Sequence, residues 1–316
     1  MNAVRHYIVR RLLSAVPVLL GISLLAFVLA QLSPGDPAEI MLEAAGTGMP
    51  SAEEVAALHS YLGLDQPAYV QYGLWLWRIL HGDGGISYHL GMPVFTVLLA
   101  RLPVTVMLAA ASLCWAAVGG IGLGLLMARM RGTWAAMLLH GVTQVMLATP
   151  SFLTAILLIL IFGVWLHVLP TNGVDAAAGY LLPSFALALV TLAMTAQLLD
   201  AQLREALASL YAQTARLRGL SEGRVLLTYA LPNALVPVTA MLGNFAAAVL
   251  GGAIIVETVF ALPGIGSLAL DAIHYRDYPL LQGYVLFLGG IYVLVTLAVD
   301  LVLARMDPRI VLGGGD

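Results

Sequence analysis

The sequence predicts an all-α polytopic membrane protein with six transmembrane helices. Composition is the first reason. Hydrophobic residues make up 61% of the chain and charged residues 10%, where soluble domains have about 45–50% and about 25%. Mean hydropathy is +0.95. The second reason is clustering, with apolar runs at 12–32, 104–127, 137–166, 181–199, 234–256 and 283–304. The third is the distribution of arginine between those runs. All 14 basic residues are arginine. With the N-terminus inside, Arg5, Arg10, Arg11, Arg129, Arg131, Arg204, Arg216, Arg218, Arg224, Arg305 and Arg309 fall on one side. Only Arg78, Arg101 and Arg276 fall on the other. Cytoplasmic loops carry such an excess, so both termini are expected in the cytoplasm.

The first run, 12–32, would reach about 31 Å as a helix, enough for one bilayer core. Leu32-Ser-Pro-Gly-Asp-Pro-Ala offers no small-residue cleavage site, so an uncleaved span is expected rather than a secretory signal. Residues 33–99 are richer in Pro, Gly and acids and form an external segment. Ser51, with Glu53, Glu54, Val55, Leu58 and Leu62 behind it, reads as a capped amphipathic helix. A second helix, 69–80, carries Tyr69, Tyr72, Trp75 and Trp77. Trp and Tyr favour the membrane–water interface, so it should lie along the outer face; a stacking platform for nucleic acid or carbohydrate is the alternative.

Residues 100–305 then hold five further spans. The long run 137–166 contains Pro150 and should kink or tilt. Glycines at 119, 120, 122 and 124, and the Gly251-Gly252 pair, suit close helix packing. The lone cysteine, Cys114, reads as a small core residue. A tail, 306–316, closes the chain on the inside.

Residues 200–232 join the fourth and fifth spans. This polar insert holds Arg204, Arg216, Arg218 and Arg224. Good helix formers fill 205–218, Gly219 can stop that helix, and Ser221 can cap a second one. Pro232 marks a break or kink before the next span. The insert reads as helix, turn, helix across the inner membrane face. It serves either as a docking element for a soluble partner or as an ordinary interfacial helix.

The insert resembles the coupling loop of ABC importer permeases. That consensus runs Glu-Ala-Ala, three residues, Gly, nine residues, Ile, one residue, Leu-Pro. Gly219, Leu231 and Pro232 fall at that spacing, with Ala215 as the second Ala. Gln213, Thr214 and Tyr229 replace the Glu, the first Ala and the Ile. The form from Tyr211 through Gln213, Thr214, Ala215, Arg216 and Arg218 to Gly219 and Leu220 is similar to the dipeptide/oligopeptide/nickel branch. The outer segment is similar to that branch too, in Pro34-Gly-Asp36-Pro37, Leu62-Gly-Leu-Asp-Gln-Pro67, Tyr69-Val-Gln-Tyr72 and His81-Gly-Asp-Gly-Gly-Ile-Ser87. So is the last outer loop, in Phe260, Pro263, Gly264 and Gly266 followed by Arg276-Asp277-Tyr278-Pro279; Glu257, Phe260, Pro263, Gly264, Gly266, Arg276 and Asp277 are the candidates for a periplasmic gate or a binding-protein contact.

The resemblance implies the type I ABC importer permease architecture in a bacterial inner membrane. It implies a second homologous permease chain, two cytoplasmic ATPase subunits that bind ATP and Mg, and a periplasmic or lipid-anchored solute-binding protein. It implies alternating access for peptides, nickel or a chelated metal. Arg216 and Arg218 would then pair with acids on the ATPase, and Tyr211, Ala215 and Leu217 would fill its groove.

No nucleotide-binding loop, zinc motif or nucleophile elbow occurs in the chain, so no enzyme and no cofactor of its own is expected, and the small net charge of −3 gives no reason for a nucleic-acid partner. Glu257, at the outer end of the fifth span, reads as a gate residue or as a solvated or arginine-paired helix-end charge. Asp300 reads as a structural partner of an inner arginine. The seven histidines have no i, i+4 pair; His81 and His89 invite a metal reading, packed interfacial rings the alternative. An ion-coupled secondary carrier, the rival class, would want paired acids at mid-membrane.

Overall fold

The computed structural model describes residues 2–32, 35–44, 50–171, 173, 177–250 and 253–306, the side chains of 2–6 excepted. Ser33-Pro34, the Gly251-Gly252 pair, the side chains of Arg5 and His6, and the tail from 307 lie outside the described residues. Apart from a bridge between Ile86 and Pro93, regular structure among the described residues is helical. Five helices there are long and apolar enough to cross a membrane, or six if one bent pair is a single span.

α1 (Asn2–Leu32) packs along the last helix, and Arg11 meets Asp300 at 3.1 Å, as expected for that acid. The outer segment contributes α2 (Pro37–Ala44), α3 (Ala52–Leu62) and α4 (Ala68–Leu80). Ser51 caps α3 in a reciprocal capping box with Glu54, and Gly63 ends it at φ 71°. α4 leans on α1: the Ser23 and Tyr72 hydroxyls lie 2.8 Å apart, and Phe27 packs on Tyr72 and Trp75. Trp77 and Tyr69 remain exposed.

α5 (Val94–Cys114) and α6 (Gly120–Arg129) join through a π-helical stretch, Trp115–Gly119, into one 36-residue helix. It starts ten residues before the expected span because Val94, Val97 and Leu98 already face a core. Cys114 is exposed on it and is not the core residue expected. α6 lies against α9 (Leu181–Ala208) through its glycines. A Cβ on Gly120 would come within 2.5 Å of Thr195, and one on Gly124 within 2.8 Å of the Ala196 carbonyl. Gly122 faces open space, so the packing reading holds for Gly119, Gly120 and Gly124 only.

The expected third span is broken outright. α7 (Trp134–Ala148) and α8 (Ser151–Leu158, continued as a π-helix over Ile159–Trp165) meet at 102°. Pro150 forces the preceding Thr149 into extended backbone, ψ 118°, which ends α7.

α9 is the axis. Half of its most apolar window is buried, more than in any other span. Its buried stripe continues past the expected end through Leu203 to Ala206. Beyond it come α10 (Leu210–Leu217), α11 (Glu222–Val225) and, through a π-helical Leu226–Ala230, α12 (Leu231–Leu250). Two short helices, α13 (Ile254–Val259) and α14 (Ile265–His274), precede α15 (Tyr278–Met306).

Candidate functional site

Two segments carry the expected site residues: the insert between α9 and α12, and the hairpin of α13 and α14. The insert was expected as one helix over 205–218. It is two, because Ser209 takes extended backbone (ψ 158°) and caps α10 through its hydroxyl and the Ala212 N–H. Gly219 at φ 81° closes the element, as its lack of a Cβ allows. Ser221 occupies the cap position of α11, but its backbone carbonyl, not its hydroxyl, takes the Arg224 N–H.

Pro232 does not break the chain. It sits in the first turn of α12, and helix runs from Glu222 to Leu250. The π turn ahead of it, where the Leu231 N–H reaches back to the Leu226 carbonyl, gives the ring room.

α10 has a clean division of faces. Ala212 and Ala215 are buried with Val225, with Leu207, Leu220 and Tyr229 against them. Ala215 is 3% exposed, so it holds α10 to its own chain and cannot fill a partner's groove. A small residue there lets the helix lie close. Leu210, Tyr211, Gln213, Thr214, Leu217 and Arg218 point out, and Leu217 is 89% exposed.

Arg216 was expected to reach an acid on a partner. Instead it braces the insert: Nε and Nη2 donate to the two Glu222 carboxylate oxygens at 2.7 and 3.2 Å, and Nη1 to the Leu207 carbonyl at 2.9 Å. The fork spans α10, α11 and the end of α9, a geometry suited to guanidinium. Glu222 holds the guanidinium's pKa above its usual value. Among the described residues no such bond engages Arg218, whose side chain is exposed.

The outer hairpin is built the opposite way. Glu257 is 0% exposed. Its Oε1 accepts the Thr105 hydroxyl at 2.7 Å, and its Oε2 accepts the Ser267 N–H at 2.8 Å. Thr105, from α5, in turn accepts the Ile265 N–H at 2.9 Å. The carboxylate thus caps α14 from the helix before it, where an anion meets unpaired N–H groups. The glycines at 264 and 266 make the cradle. A Cβ on Gly264 would sit 2.3 Å from the carboxyl carbon, and one on Gly266 would sit 2.9 Å from Oε2. Glu257 is therefore not solvated, is paired with no arginine among the described residues, and is too deeply buried in this structure to touch a binding protein. Phe260 packs beneath in the core with Leu108, Ala155 and Leu182.

Asp277, also 0% exposed, accepts the Ser87 hydroxyl, the His89 N–H at 3.2 Å and the Leu280 N–H at 3.2 Å. It ties the end of the outer segment to the start of α15. Arg276 beside it is exposed, at φ 53°. Burial and the nearby Asp277 charge push the Tyr88 phenol up to about 12. His89 stacks on Tyr275 with ring centroids 3.6 Å apart, and His81 packs against Trp77 at 4.2 Å with the rings tilted by 42°. Among the described residues no group of three His, Cys, Asp or Glu side chains could hold a metal ion. Thr105 has no signal in the sequence, being a lone hydroxyl in an apolar run, and Ser87, though it closes the His81–Ser87 match, has none that points to Asp277.

Comparison with known proteins agrees with this geometry. Residues 120–312 match the family described as binding-protein-dependent transport system inner membrane component, and 4–109 match that system's N-terminal membrane component. The chain belongs to that family. Its membership favours a binding-protein-dependent permease of the inner membrane over an ion-coupled secondary carrier. A protein named as a peptide transport system permease in Brucella suis biovar 1 is 38% identical over 311 residues, covering 96% of this chain and 98% of that one. The glutathione transport system permease GsiC of Escherichia coli K12 is 35% identical over 305 residues, with the same coverage. In structure, the chain is similar to an inward-facing methionine ABC transporter, MetNI, at TM-score 0.55 and 17% identity, over 67% of this chain and 97% of the other. The fold is that of the type I ABC importer permeases.

Proposed function

We propose that the protein moves peptides, of the size class of glutathione and short oligopeptides, from periplasm to cytoplasm by alternating access. The names of its relatives support a peptide over nickel or a chelated metal. ATP and Mg are handled by two ATPase subunits, not by this chain. A second homologous permease completes the pathway, and a periplasmic or lipid-anchored binding protein delivers the solute to the 33–99 segment and the 253–277 hairpin. Both termini lie in the cytoplasm.

The observation that carries this reading is α10. It is a short helix anchored by Ala212, Ala215 and the Arg216 fork, and it offers Leu210, Tyr211 and Leu217 outward between two spans. An ATPase that grips it moves α9 and α12 together. The test is uptake of labelled di- and tripeptides by the reconstituted complex with its binding protein. ATP-dependent, vanadate-sensitive uptake is expected. Uptake that ignores vanadate and collapses with ionophores contradicts it.

A further inference from the structure

Asp200 is a buried acid for which the coupling geometry above has no use. It is 2% exposed on α9, two turns before that helix gives way to α10. Its Oδ1 accepts Arg131 Nη2 at 2.8 Å, from the turn between α6 and α7. Its Oδ2 accepts Arg204 Nη2 at 2.8 Å, one turn further along α9, and lies 3.7 Å from His140 Nε2 on α7. Arg131 also donates to the Asp200 carbonyl at 3.3 Å. One turn deeper, Gln197 donates to Thr143 at 2.9 Å, which joins α9 to α7 beside the His140 approach. A buried carboxylate persists only when paired, and losing a partner leaves an uncompensated charge. The carboxylate therefore holds the α6–α7 turn against α9, with α7 tied alongside by Gln197 and Thr143.

We propose that Asp200 is a positioning residue for transport, clamping the α6–α7 turn and α7 onto α9. A displacement of α10 then reaches the bent α7–α8 pair instead of being lost in the inner turn. This inference rests on α10 being the segment an ATPase grips.

The experiment uses the full complex in proteoliposomes and reads ATP hydrolysed per peptide imported, with subunit stoichiometry measured alongside. Asp200→Asn is expected to assemble and hydrolyse ATP while that ratio rises about tenfold, a typical coupling between linked sites; Asp200→Glu, which keeps the charge, should restore most of it. Hydrolysis and uptake falling in proportion, or both unchanged, overturns the proposal. If Asp200→Asn does not assemble, Arg131→Gln decides, since Asp200 then keeps Arg204: a raised ratio supports the clamp and an unchanged one overturns it. A wild-type complex without ATP-dependent uptake overturns the transport reading and the clamp together; a coupled wild type with a coupled Asp200→Asn overturns the clamp alone.

Discussion

The insert at 209–230 and the hairpin at 253–277 are both short helical links between spans, yet they are built in opposite senses. The outer hairpin turns two of its three acids inward: Asp271 is exposed, but Glu257 and Asp277 are buried, and each collects donors from distant parts of the chain. On the inner insert, α10 keeps only two alanines inward and leaves Leu210, Tyr211, Leu217 and Arg218 outside. Among the described residues its one ion pair, Arg216 with Glu222, is local. One link is held by its own protein; the other leaves Leu210, Tyr211 and Leu217 uncovered. Changes in the hairpin should therefore be felt as lost stability, and changes in the insert as lost coupling in a stable protein.

The largest expected effect tests the cradle. Gly264→Ala puts a Cβ 2.3 Å from the Glu257 carboxyl carbon, and such overpacking should cost about 3 kcal/mol, read as a fall in thermal midpoint of the purified complex. An unchanged midpoint would break the contrast at its strong end. Asp277→Ala strands the Ser87 hydroxyl and the His89 and Leu280 N–H groups. About 2 kcal/mol of stability should go with it, together with faster proteolysis within 81–93.

On the inner side, Arg216→Ala should leave the thermal midpoint unmoved while uptake falls and ATP hydrolysis persists. Arg216→Lys should not rescue it, because an ammonium cannot make the fork. Arg218→Glu should weaken ATPase attachment without touching stability; unchanged uptake would remove Arg218 from the interface. The smallest effect on the fold belongs to Leu217→Ala, which alters only an exposed side chain, and its signature should be weaker ATPase co-purification alone.

Much of this was legible beforehand. Helical spans announce themselves by composition, Ser51 by its capping box, Gly219 by the positive φ a helix end needs. What escaped depended on the third dimension. Ser209 was hidden among strong helix formers, although a serine is also a cap. Ala215 has no sidedness until α11 and Tyr229 are placed against it. Pro232 reads as a break or kink because the π turn that accommodates it has no sequence signature. The Asp200–Arg204 spacing was visible, but Arg131 comes from the α6–α7 turn and His140 from α7. Glu257 looked like a helix-end charge because its donors, Thr105 and Ser267, lie 152 and 10 residues away.

The most direct measurement places a cysteine at Leu217 in a Cys114→Ala background and labels it with a membrane-impermeant maleimide. Labelling is expected only in inside-out vesicles, and binding of the ATPase subunits should block it. Labelling from the periplasmic side, or labelling that the bound ATPases leave untouched, would contradict the assignment of α10 as the segment they grip.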